Sequence, residues 1–184
     1  MPSYRITEQD RGHFITCTVV NWIDIFTRQA YRDIVIESLK HCQKEKGLII
    51  YGYVIMSNHL HMIASCENNL SDVIRDFKKF TSKKIIEVIA NGNESRKDWI
   101  LFMFERAAKR HSRNTKYQLW VHDNHPEELW SHEFTLQKLK YIHNNPVRAG
   151  IVEKPEDYLY SSARNYAELE SLLEVERISL YSYR

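Results

Sequence analysis

Leu48-Ile49-Ile50-Tyr51-Gly52-Tyr53-Val54-Ile55-Met56-Ser57-Asn58-His59-Leu60-His61-Met62-Ile63-Ala64-Ser65 is the stretch on which the fold turns. Leu48 to Met56 is an apolar, β-branched and aromatic run, Ser57-Asn58 supplies turn chemistry, and His59 to Ser65 is a second run, so a hairpin is predicted. Upstream, Tyr31, Val35, Leu39 and Cys42 recur at helical spacing between Arg28 and Lys46, and Gly47 follows as a stop. Earlier still, His13 to Trp22 reads as a strand around Phe14 to Val20. Downstream, Ser71 is a candidate cap for a helix to about Ala90, with Ile74, Phe77, Thr81, Ile85 and Val88 on one stripe. Asn91-Gly92-Asn93 breaks that pattern, and helix is expected again around Trp99 to Arg110. Tyr117 to His122 is the candidate fourth strand, Asp123 to Trp130 a polar loop, and Glu133 to Asn145 a helix stopped by Pro146. A last helical piece is expected from Ser161 to about Glu176.

The order β-α-β-β-α-β-α defines an α+β protein on the split βαβ, or ferredoxin-like, plan. It predicts an antiparallel sheet with helices on one face and a C-terminal helical extension. At roughly 150 residues per domain, 184 residues indicate one domain over 1–184, with a core of 13–146 and an extension of 147–184. A hydrophobic fraction of 43% and a charged fraction of 27% suit a soluble globular chain, and five Gly with four Pro exclude collagen-like and linker architectures. The longest apolar run, Leu48 to Met56, is too short for a bilayer, and no apolar export segment opens the chain. Cys17, Cys42 and Cys66 are odd in number, widely spaced and without CxxC, which points to reduced thiols in the cytoplasm.

A net charge of +2 is mild, but Arg106, Lys109, Arg110, Arg113 and Lys116 crowd one arm, and four Glu fall between Ala167 and Glu176. Arg75, Lys79 and Lys83 repeat every four residues, with Lys78 beside them. Such charge serves either as a solvated face or as a track for anions. His59-Leu60-His61 puts two imidazoles on one face of a strand, Cα atoms about 6.5 to 7 Å apart. The pair can converge on a divalent ion or simply occupy a half-polar sheet face. On the later helix Leu136, Leu139 and Ile142 form a packing stripe, and Gln137, Tyr141 and Asn145 form another. The second stripe sets a phenol, a potential covalent nucleophile, one turn from a carboxamide oxygen. An amphipathic surface tyrosine and a helix terminator explain the same residues.

Taken together, Met56-Ser57-Asn58-His59-Leu60-His61, Phe77-Lys78-Lys79-Phe80-Thr81-Ser82 and Tyr141-Ile142-His143-Asn144-Asn145-Pro146-Val147-Arg148-Ala149-Gly150-Ile151-Val152 resemble the single-tyrosine HUH transposases, the insertion sequence 200-like and REP-associated tyrosine transposases. Glu156 to Tyr166 is similar to the REP-associated branch, and the resemblance runs from about His13 to Tyr166. It implies a ferredoxin-like fold and a metal-dependent endonuclease and strand transferase acting on hairpin-bearing single-stranded DNA. By the same motifs His59 and His61 are metal ligands for Mg²⁺ or Mn²⁺, Asn145 is the third ligand, and Tyr141 is the nucleophile that takes the 5′ phosphate. Gln137 is at most a supporting residue. Arg75, Lys78, Lys79, Lys83, Arg106, Lys109, Arg110, Arg113 and Lys116 are the candidates for the phosphate backbone.

The chain departs from the pattern after Trp120, where the family is basic and amide-rich but Val121-His122-Asp123-Asn124-His125-Pro126-Glu127-Glu128 is acidic. His122, His125 and His132 form an alternative metal cluster on paper. A domesticated hairpin-binding protein that no longer cuts is the alternative function, and hydrolysis by metal-activated water is a third. Insertion-sequence relatives are homodimers and some REP-associated relatives are monomers; the C-terminal motif favours the monomer.

Overall fold

The structure is a computed structural model and describes residues 6, 9, 11–110 and 116–180. Its frame is the expected hairpin. Strand β2 (Leu48–Ile55) pairs antiparallel with β3 (His59–Cys66), closed by the Met56 N–H on the His59 carbonyl at 2.8 Å. Strand β1 (His13–Thr18) pairs antiparallel along the other edge of β3 and sets Thr16 opposite His61. A two-residue β4 (Glu127–Glu128) pairs with His13 and Phe14, and the strand order is β2-β3-β1-β4.

The helices α1 (Gln29–Lys46) and α2 (Leu70–Asn91) form where the apolar spacing calls for them. Gly47 ends α1 in the left-handed region at φ 68°, returning its N–H to the Cys42 carbonyl. The cap of α2 is Asn69, whose side chain accepts from the Asp72 N–H at 2.9 Å, in place of the expected Ser71. Both helices lie on the sheet face carrying Leu60, Met62 and Cys17, all fully buried. Leu60 thus enters the core opposite the histidines, as the alternation requires. The three cysteines are free and buried.

The fourth strand is not Tyr117 to His122. That segment makes one bridge, Val19 to Trp120, because β1 gives way there to a 3₁₀ turn at Val20–Trp22. Trp120 turns inward instead: its indole donates to Thr81 Oγ1 at 2.9 Å and packs on Phe26 and Phe77. The edge of β1 therefore receives part of the segment read as a loop. Helix α3 (Lys97–Ala108) is close to its expected span.

Helix α4 (His132–Arg148), capped by the Ser131 hydroxyl, runs past Pro146. A proline in the last turn forfeits only its own amide bond, and Ala149 and Ile151 still donate to the carbonyls of Asn145 and Pro146. Helix α4 crosses the histidine face, opposite α1 and α2, with Leu139 against Gly52. The C-terminal helix shrinks to α5 (Ala163–Tyr166). Arg164 and Asn165 donate to the carbonyls of Glu170 and Leu173, acceptors that a continuing helix would have used. Leu173 is buried, and the Glu176 N–H reaches the Ile50 carbonyl at 2.9 Å. Tyr160 and Ser162 bond the backbone of Ile55 and Tyr53, covering the outer edge of β2. Among the described residues no helix is long and apolar enough to cross a membrane.

Candidate active site

The site is built on the face of β1 and β3 that α4 overlies. The His59 and His61 rings stand 4.5 Å apart between centroids. Each ring is anchored through Nδ1: His59 on Asn58 Oδ1 at 2.7 Å, and His61 on Thr16 Oγ1 at 2.8 Å. The Asn58 oxygen only accepts, so His59 Nδ1 donates and its Nε2 carries the lone pair. Burial pulls the pKa of His59 down. For His61 burial, followed by the neighbouring His59 and Lys138, pulls it to about 3. Both imidazoles are therefore neutral at physiological pH, the form that binds a cation.

Tyr141 reaches this pair from α4. Its ring is edge-on to His61 at 5.4 Å and to Phe14 at 6.0 Å, and the residue stays 39% exposed. Phe14 in turn stacks on His61 at 5.2 Å. Asn145, one turn further on, donates Nδ2 to the Tyr141 carbonyl at 3.3 Å, which leaves its carboxamide oxygen free of that bond. Two neutral, anchored imidazoles on one face fit a divalent cation. His122, His125 and His132 do not assemble into an alternative: among the described residues no group of three or more His, Cys, Asp or Glu is placed to hold a metal. Gln137 is exposed.

A cleft of about 380 Å³ opens between β1 and α4, lined by His61, Tyr141, Lys138, Glu127, Trp22 and their neighbours. Lys138 was missed in the sequence, although it lies three residues before Tyr141 and so on a neighbouring part of the helix surface. Its ammonium sits 4.6 Å from the Phe14 ring centre and pairs with Glu127 at 2.6 Å. Glu128 is paired with Arg11. Glu127 and Glu128 of the acidic departure after Trp120 are thus each paired with a cation from outside it.

Trp22 was missed as well. It and Asn21 have φ of 56° and 55°, a left-handed backbone that costs on the order of 1–2 kcal/mol at each non-glycine residue. Asn tolerates that conformation far better than a bulky indole does.

The basic candidates separate. Lys78 is turned inward, donating to the carbonyls of Val121 and His122 and to Asn124 Oδ1, and burial lowers its pKa. Its ammonium ties down a loop and is not presented to a phosphate. Arg75 is held by Asp72 and Asp76, Lys109 by Glu105, and Lys116 lies over the Tyr117 ring. Lys79, Lys83, Arg106 and Arg110 are exposed. Arg113 lies outside the described residues.

These features define an α+β protein with a histidine pair and a tyrosine on the helix-covered face of a four-stranded antiparallel sheet, the fold of tyrosine transposases. A solved structure of a REP-associated tyrosine transposase bound to a REP hairpin matches with a TM-score of 0.66, covering 99% of this chain and 96% of that one at 16% identity. The family model described as "Transposase IS200 like" matches residues 11–145, and the chain belongs to that family. It is accordingly a DNA-binding transposase. A search of curated proteins gave no match.

Proposed function

We propose that this transposase cuts and rejoins single-stranded, hairpin-bearing DNA through a 5′-phosphotyrosine at Tyr141. The observation that carries the reading is the position of the Tyr141 ring, 5.4 Å from His61 across the cleft. The Tyr141 oxygen attacks the scissile phosphorus, its proton leaving to solvent on the exposed side of the ring. The bond to the 3′ oxygen breaks, and that oxygen takes up a proton to leave a free 3′ hydroxyl. The product is still a diester, so a second 3′ hydroxyl can reverse the step on a new strand. His59, His61 and Asn145 would hold the divalent ion, which when bound supplies Lewis acidity at the phosphate oxygens. Lys138 adds a fixed cation beside the same phosphate. Lys79, Lys83, Arg106 and Arg110 are the exposed cations for the strand leading away.

Tyr141 faces the His61 of its own chain, the arrangement of an active site in cis, for which a monomer suffices. The extension from residue 147 belongs to the same domain on this reading, because its described part packs along β2 through Tyr160, Ser162 and Glu176. The protein would act in the cytoplasm, on the cell's own DNA.

The test is a denaturing gel of the protein with labelled single-stranded hairpin oligonucleotides from the flanks of its gene, with Mn²⁺ or Mg²⁺. A covalent band is expected that disappears in Tyr141→Phe and in His59→Ala with His61→Ala. Cleavage undiminished in Tyr141→Phe would assign the chemistry to metal-activated water. Tight binding without an adduct would make this a domesticated binder.

A further inference from the structure

Trp22 stands 68% exposed at the rim of the cleft, edge-on to His59 with ring centres 6.3 Å apart. Trp130 is more exposed still, so exposure alone does not mark Trp22 out; what does is an indole held at the mouth of the cleft that His61 and Tyr141 line. Here the exposure is enforced. Asn21 and Trp22 both occupy the left-handed region, a conformation that persists only where the surroundings over-determine it. The surroundings do so: the Trp22 N–H bonds the Val19 carbonyl at 3.1 Å, and Val19 and Phe26 bond the carbonyls of Asn58 and Ser57 at 2.9 Å. The Asn58 carboxamide completes the link. Its Nδ2 donates to the Trp22 carbonyl at 3.2 Å while its Oδ1 accepts from His59 at 2.7 Å. One side chain thus sets both the turn that presents the indole and the ring that would hold the ion.

We infer that Trp22 is a stacking platform for an unpaired DNA base next to the phosphate to be cut. The inference deepens the nuclease reading above and rests on it for the position of that phosphate. A flat π face takes any base, whereas Lys138 in the cleft takes a phosphate; the two together fix one nucleotide. Trp22 is therefore a positioning residue for the strand, and Asn58 couples its position to His59.

The test measures equilibrium binding by fluorescence anisotropy, with the full chain in a Tyr141→Phe background to prevent cutting. The probes are the same gene-flank hairpin oligonucleotides, with each unpaired nucleotide replaced in turn by an abasic residue. One abasic position is expected to weaken binding about tenfold. Trp22→Leu should weaken binding of the intact strand by a similar factor and remove sensitivity at that position, while Trp22→Phe retains most of both. A 2-aminopurine at that position should be quenched on binding to the chain with Trp22 in place, a readout that needs no substitution of Trp22. Unchanged binding in Trp22→Leu, a persisting abasic penalty at the same position, or no quenching at any unpaired position would overturn the platform. If the wild type forms no covalent adduct but the Trp22-dependent position is found, the nuclease reading fails and the platform stands. Absence of any binding overturns both.

Discussion

Asn58 makes two hydrogen bonds with one carboxamide, and neither is visible in its sequence neighbourhood as more than turn chemistry. Residue-scale roles of this kind depend on which groups other segments bring up. His59 and His61 were readable because two residues apart on a strand is a face, whatever surrounds it. Thr16, which orients His61, was not readable until the β1–β3 register set it opposite. Glu94 is the same case outside the site. Its side chain is only 1% exposed, yet burial, which favours the neutral acid, is outweighed by the Arg96 N–H, Arg28 and the Tyr31 hydroxyl. The carboxylate is therefore held below its ordinary pKa, and the stability it contributes is full above the usual carboxylate range and is lost as the pH falls through its folded value. Glu94→Gln should lower unfolding free energy by about 2 kcal/mol near neutrality. It should also flatten the acid limb of a urea-melt series taken from pH 7 to pH 3; an unchanged acid limb would refute the assignment.

Most strands and helices were legible as types, but Tyr117 to His122 is not a strand and the helix expected from Ser161 covers only Ala163–Tyr166. The spacing of apolar residues reports which face of an element is buried, but not which neighbour it meets. Gly52 shows what decides that: a Cβ built there lies 2.6 Å from Leu139 Cδ1, so α4 approaches β2 through the missing side chain. Gly52→Ala is expected to destabilise by about 1–3 kcal/mol through overpacking. It should also slow adduct formation, since Leu139 lies two residues from Tyr141. Adding Leu139→Ala should restore the rate of adduct formation in part, and a double mutant no faster than Gly52→Ala would count against this packing. Lys78 was assigned to DNA from its place among basic residues, and the structure gives it to the segment around Val121 instead. Lys78→Leu should therefore raise hydrogen exchange around Val121 to Asn124 and destabilise by about 1–3 kcal/mol. A direct phosphate contact would instead show as a reduced salt dependence of DNA binding with exchange unchanged.

At the scale of the whole molecule, α4 lies across its own sheet, and the chain after it returns along β2. Mixing Tyr141→Phe with the His59→Ala, His61→Ala chain is expected to restore no covalent adduct, because each chain would lack half of its own site. Recovery in the mixture would instead establish an exchanged tyrosine helix. The sequence by itself determined the element types through β3, the shared face of His59 and His61, and the helix carrying Tyr141 and Asn145. Each of these is a periodicity within one segment, and local geometry converts it into a face. The motif resemblance added the family and a role for each of those residues. Only the tertiary structure decided the rest. It gave the β1 edge to Glu127–Glu128, turned Trp120 inward, let α4 run through Pro146, and drew Leu173 into the core. It also brought Lys138 and Trp22 into the cleft. Those outcomes are competitions between distant segments for the same edge, acceptor or cavity, and no single segment encodes the winner.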